Sequence, residues 1–187
     1  MSKKVYIVGA KRSPIGSFLG TLKDVHPSEL GTQVLKALLE ETNVPKDKIT
    51  EVIVGNILPA GIGQGIARQI SINSGIPETV PAYSLNMVCG SGMKSIMNAF
   101  MGIQSGFSEI VVAGGVESMS GAPYMVSGKT RSGSKMGNME LVDHMITDAL
   151  TDAFTNTHMG ITAENIANKH SITREAQDKF AYESQVK

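Results

Sequence analysis

The chain has 187 residues, enough for one domain or for one domain and part of a second, and its 41% apolar and 18% charged residues give it a core and exclude a disordered chain. Lysine plus arginine and aspartate plus glutamate number 17 each, so the basic excess of a nucleic-acid-binding chain is absent. No apolar run approaches the ~18 residues of a membrane span, no secretory or transit peptide is expected from the four residues ahead of Val5, and one cysteine excludes an internal disulfide framework and a multi-thiolate metal site within these residues.

Taken in chain order, short β-branched runs alternate with helical patterns, the mark of a parallel α/β sheet. Residues 5–10 read as a buried strand. Ser28 is the expected cap of a helix with Leu30, Val34, Leu35, Leu38 and Leu39 on one face. A strand over 51–55 and a helix over 64–74 follow, the latter closed by Gly75 and Pro77. Residues 82–86 read as a third strand. The helix over 91–105 has Ile96, Phe100 and Ile103 on one side and ends at Gly106. Residues 109–113 form a fourth strand, completing a βαβαβαβ order.

After Glu117 the composition changes. Residues 118–138 are rich in Gly, Ser and Met, hold no acidic residue and carry Lys129, Arg131 and Lys135. Weak helices are expected over 140–150 and 162–170, and a better one from Thr173, a cap with Glu175 in the first turn, to the last residue. The expected division is an α/β domain over 1–118 and part of a second, mostly helical segment over 119–187.

The most informative stretch is Asn86-Met87-Val88-Cys89-Gly90-Ser91-Gly92. It sets the single cysteine between a predicted strand and a predicted helix. Such a turn presents sulfur at the sheet edge where ligands bind in open α/β folds. It places a thiolate at a helix N-terminus, which favours negative charge. It also aims backbone N–H groups at the place where a thioester oxyanion would form. Gly90 and Gly92 are expected to let backbone and substrate approach closely. An inert buried cysteine is the bland alternative.

Asn86–Gly92 closely resembles the acyl-accepting cysteine motif of the thiolases, the acetyl-CoA acetyltransferases. The likeness continues in order along the chain. Gly9-Ala10-Lys11-Arg12-Ser13-Pro14-Ile15-Gly16 is similar to the family's opening strand and turn. Gly55-Asn56 and Gly65-Ile66-Ala67-Arg68-Gln69 are similar to its second strand and next helix. Ala113-Gly114-Gly115-Val116-Glu117-Ser118-Met119-Ser120 resembles its Gly-Gly-x-Glu-Ser-Met signature, and His158-Met159-Gly160 its His-Met-Gly segment.

The resemblance implies a thiolase-like α/β fold, its N-terminal half followed by the start of the loop domain. It implies an acyl thioester on Cys89, with acetyl-CoA and coenzyme A as partners. The reaction would be condensation of two acetyl-CoA to acetoacetyl-CoA, or the reverse thiolysis. No cofactor beyond coenzyme A as substrate is suggested, and no metal. The family's later motifs, carrying an activating histidine and a second cysteine, have no match here, so the chain alone is expected not to complete a cycle.

Within the same resemblance, His158 is a coenzyme A contact, Met159 lies against the acyl group and Leu150 lines the coenzyme pocket. A solvated histidine and a core leucine are the plain alternatives. Glu117 reads as a satisfied carboxylate bracing the catalytic loop rather than a base, and Asn86 and Arg68 as scaffolding for the cysteine loop and subunit contact. The basic loop would attract the coenzyme's phosphates or serve tetramer formation. The parent protein is expected to be a cytoplasmic dimer or tetramer. Rival readings are a longer-chain thiolase, a ketoacyl synthase, or a non-catalytic half-protein that docks with another chain.

Overall fold

A computed structural model describes residues 3–187. The chain forms two compact units, Met1–Met145 and Ile146–Lys187, and the composition change at Ser118 falls inside the first.

The first unit opens with a helix, α1 (Pro27–Thr42). It starts at His26, not at Ser28 as expected. The His26 imidazole accepts from the Ser28 N–H, Pro27 occupies the first helical position, and Asn43 ends the helix in the left-handed region. Three strands alternating with two helices follow: β1 (Glu51–Gly55), α2 (Ile66–Asn73), β2 (Ala82–Leu85), α3 (Ser91–Ser105) and β3 (Val111–Gly115). The three strands make a parallel sheet in the order β2-β1-β3, with Val52 opposite Ala82 and Val112. β1 is the centre of this sheet and is buried throughout, as a β-branched run covered on both faces must be. Val52 and Val54 join Leu35, Leu39, Ile66 and Ile70 in one apolar cluster with α1 and α2. Ile53, fully buried, alternates to the opposite face, where α3 packs.

The expected first strand over 5–10 does not form. Among the described residues β3 pairs with β1 alone, and no strand pairs with the N-terminal segment. An extended run without a neighbour has no ladder to hold it, and Tyr6 and Ile7 stand 72% and 84% exposed. A cavity of about 640 Å³ separates residues 11–18 from α1, β1 and β3.

The α3 helix has the predicted bounds, and the side holding Ile96, Phe100 and Ile103 is not the one it buries. Ser91, Ser95 and Ala99 are buried, whereas Ile96 and Phe100 are about half exposed, with Met93, Met97 and Met101 beside them. Small residues face the sheet because the helix lies very close to it. A methyl group on Gly55 would sit 2.6 Å from the Ser91 carbonyl carbon, and one on Gly115 would sit 3.3 Å from the Gly92 Cα.

Residues 140–150 also differ from expectation. They hold a short strand, β5 (Leu141–Asp143), paired antiparallel with β4 (Tyr124–Val126), and a single π-helical turn at Ile146–Leu150. Three-residue strands in a Gly- and Ser-rich stretch are too short to show a period. In the second unit, Thr151 bridges His158, and α4 (Met159–Lys169) and α5 (Arg174–Val186) follow. Thr173 caps α5 as expected, accepting from the Ala176 N–H. No described helix is long and apolar enough to cross a membrane.

Candidate active site

β1, β2 and β3 run parallel and end on one side of the sheet, where Asn56, Asn86 and Glu117 follow them. This is the edge at which open α/β folds bind ligands. Cys89 lies in the connection from β2 to α3 and is exposed. A larger cavity lies beneath the N-terminal segment and extends to Glu117 and the residues just after β3. At this edge a smaller one, about 240 Å³, is lined by Asn56, Ser84 and Asn86.

The turn that presents Cys89 is tightly tethered. The Ser91 hydroxyl accepts from the Met87 N–H at 2.8 Å and donates to the Val88 carbonyl at 2.6 Å. The Ser91 N–H reaches the same carbonyl at 3.0 Å, and the Gly90 N–H reaches the Met87 carbonyl at 3.1 Å. Asn86 Oδ1 accepts from the Val88 N–H at 2.9 Å, while Asn86 Nδ2 donates to the Ile57 carbonyl at 3.4 Å. Asn86 is thus hydrogen-bonded both to the cysteine loop and to the loop after β1.

The conformational burden falls on Val88, not on the glycines. Val88 has φ +48°, whereas Gly90 is right-handed at φ −83°. A β-branched residue in the left-handed region carries strain of about 1–3 kcal/mol and persists only where its surroundings hold it. Gly92 serves close helix–strand packing against Gly115, and Ser95 reinforces that contact, its hydroxyl lying 2.6 Å from the Gly92 carbonyl and 2.8 Å from the Gly114 carbonyl. Ser91 and Ser95 were not singled out from sequence. Serine in a glycine-rich turn is too common to signal a tether.

Glu117 is a hydrogen-bonded carboxylate. It accepts from Asn56 Nδ2 at 2.9 Å, the Ile57 N–H at 2.8 Å and the Leu58 N–H at 3.0 Å, so it pins the loop after β1 that Asn86 also touches. Burial raises its pKa above the ordinary 4.5; the bonds from Ile57 and Leu58 and the charge of His144 pull downward without cancelling it. A raised carboxyl pKa makes folding take up a proton. The stability it contributes is full below the unfolded value and is lost as pH rises through the folded one. Urea unfolding at a series of pH values should therefore show wild type losing stability relative to Glu117→Gln as pH climbs from 4.5. A relative gain over that window would contradict this account.

Arg68 lies away from the cysteine turn. Its guanidinium donates to the Val80 carbonyl at 2.9 Å and the Glu78 carbonyl at 2.7 Å, closing the connection from α2 to β2. In the second unit, His158 is the N-cap of α4, its Nδ1 accepting from the Gly160 N–H at 3.0 Å. Met159 is the first residue of that helix and 38% exposed. Leu150 is half-buried at the end of the π-helical turn, one residue before the bridge from Thr151 to His158. The Thr151–His158 bridge thus brings together the chain segments carrying these three predicted residues.

Comparison with known proteins matches residues 5–187 to the thiolase N-terminal domain. An acetyl-CoA acetyltransferase of Cupriavidus necator is 51% identical over 183 residues, 98% of this chain and 46% of the relative. One from Thiocystis violacea is 48% identical over all 187 residues, 47% of its own length. A probable acetyl-CoA acyltransferase of Staphylococcus epidermidis is 48% identical over 184 residues, 98% of this chain and 46% of the relative. Among solved structures, the Acat5 thiolase of Ascaris suum in complex with coenzyme A superposes with a TM-score of 0.90 at 43% identity, covering 97% of this chain and 47% of that one. The chain spans about half the length of these relatives, and it belongs to the thiolase family, matching its N-terminal domain.

Proposed function

We propose that this chain supplies the acyl-accepting half of an acetyl-CoA C-acetyltransferase site. The observation that carries the reading is the exposed Cys89 on a tethered strand-to-helix turn at the carboxyl edge of a parallel sheet. The names of its relatives and the coenzyme A in the Acat5 complex support the substrate class.

In the proposed reaction, Cys89 Sγ attacks the thioester carbonyl of acetyl-CoA as a thiolate. The carbon–sulfur bond to the coenzyme breaks, and coenzyme A leaves with the proton that the cysteine gave up. The acetyl group stays on Cys89 until the α-carbanion of a second acetyl-CoA attacks it, forming acetoacetyl-CoA and freeing the cysteine. Generating that carbanion needs a base, and each tetrahedral intermediate needs oxyanion donors. We assign the activating histidine and the second cysteine to a part of the enzyme beyond these residues. His158, Met159 and Leu150 are assigned to the coenzyme and acyl contacts, Asn86, Gly90, Gly92 and Glu117 to support of the cysteine turn and its neighbouring loops, and Arg68 to closing the connection from α2 to β2. The same proposal places the protein in the cytoplasm as a homo-oligomer, with no cofactor besides its coenzyme A thioester substrate.

Intact mass spectrometry tests the first step. After exposure to acetyl-CoA, the chain should gain one acetyl group, and Cys89→Ala should gain none. Acetylation that persists in Cys89→Ala would remove Cys89 from the role assigned to it. An unmodified wild-type chain would overturn acyl acceptance without the complementary part, leaving the reading of a half-protein that only docks.

A further inference from the structure

We propose that Ser91 is a positioning residue for Cys89: its hydroxyl bridges the Met87 N–H and the Val88 carbonyl, holding Val88 left-handed and thereby setting the cysteine at the start of α3. The use of Cys89 as a nucleophile rests on the function proposed above; the clamp rests on the turn itself.

Three features support it. Ser91 is buried, at 4% exposed, although it follows an exposed cysteine by only two residues, so its hydroxyl is turned away from solvent and into the turn. That hydroxyl is used in both directions, accepting from Met87 and donating to Val88. Finally, Val88 is the one β-branched residue among the described residues with positive φ, and nothing in its own side chain favours that state. Asn86 fixes the N–H of Val88 and Ser91 fixes its carbonyl, so the strained residue is held from both sides. Released, Val88 would return to an ordinary extended or right-handed conformation. A rotation at Val88 redirects everything after it, and Cys89 is the next residue.

A double-mutant cycle on the whole 187-residue chain separates this from a simple packing role. The readout is the second-order rate of Cys89 alkylation by iodoacetamide, which needs no acyl-CoA, taken beside thermal unfolding followed by circular dichroism. Ser91→Ala should slow alkylation by about tenfold, because the sulfur leaves the helix N-terminus. Val88→Gly adopts the left-handed conformation without strain. In that background Ser91→Ala should therefore change the rate by less than about twofold. An equal slowing in both backgrounds would overturn the clamp, as would no slowing in either, even if the melting temperature falls. Should Ser91→Ala fail to fold, Asn86→Ala cuts the tether on the other side of Val88, and the same suppression by Val88→Gly is required. If alkylation follows this pattern while acetyl-CoA leaves Cys89 unmodified, the clamp stands and the proposed acyl transfer falls.

Discussion

Gly55→Ala should destabilise the first unit by about 3 kcal/mol, at the upper end of what one added methyl group does in a packed interior. The new carbon would lie 2.6 Å from the Ser91 carbonyl carbon, 2.7 Å from the Ser91 Cβ and 2.8 Å from the Gly92 nitrogen. Two of these are backbone atoms at the start of α3, so no side-chain rotation relieves the clash. The helix must move away from β1, and Cys89 moves with it. Gly114→Ala is the matched control: it lies one position before Gly115 in β3, and a methyl group there meets nothing within 4 Å. Urea unfolding of both variants decides the matter. Comparable losses at the two positions would show that the close approach of α3 to β1 is not what Gly55 protects.

The second large effect concerns activity. Coenzyme A release from acetyl-CoA by the unaided chain should stay at the buffer background after the first acyl transfer, because the chain carries one cysteine and that one holds the acyl group. Adding a separate polypeptide that bears the activating histidine and the second cysteine should restore turnover, and Cys89→Ala should abolish the restored rate. Sustained turnover by the unaided chain, with its mass confirmed, would overturn the division of labour proposed for the two parts.

Much of the fold was legible because local and global signals agreed. The β-branched run Glu51–Gly55 and the stretch from Ser91 to Gly106 were bounded correctly, since one is a buried strand between turn residues and the other ends at a glycine in the left-handed conformation. The strand expected over 5–10 failed for a reason no local pattern contains: a strand needs a neighbour, and this sheet ends at β3 without one beside that segment. The inward face of α3 does not follow from Ile96, Phe100 and Ile103 sharing a side. Apolar periodicity identifies a stripe but does not say which stripe meets the sheet, and here the smaller residues do. At the site, Asn86 and Glu117 hydrogen-bond backbone N–H groups of the loops after β2 and β1. The strain at Val88 was invisible, since nothing about valine announces a positive φ, and Ser91 was hidden in a motif whose glycines drew attention first.

The glycine seam under α3 has a consequence for mutational tolerance. In most interiors the bulkiest side chains are the hardest to replace, and small ones accept change. Along α3 the order should be reversed for the folding of this chain. Polar replacements at Ile96, Met97 and Phe100, all about half exposed, should be absorbed. The positions that reject even one extra carbon are instead among the smallest, Gly55 beneath the helix and Ser95 within it, where the seam leaves no room for growth. A saturation scan scored by folding alone would thus pick out a narrow line of small residues leading to the cysteine turn, tracing the nucleophile's support without any measurement of chemistry.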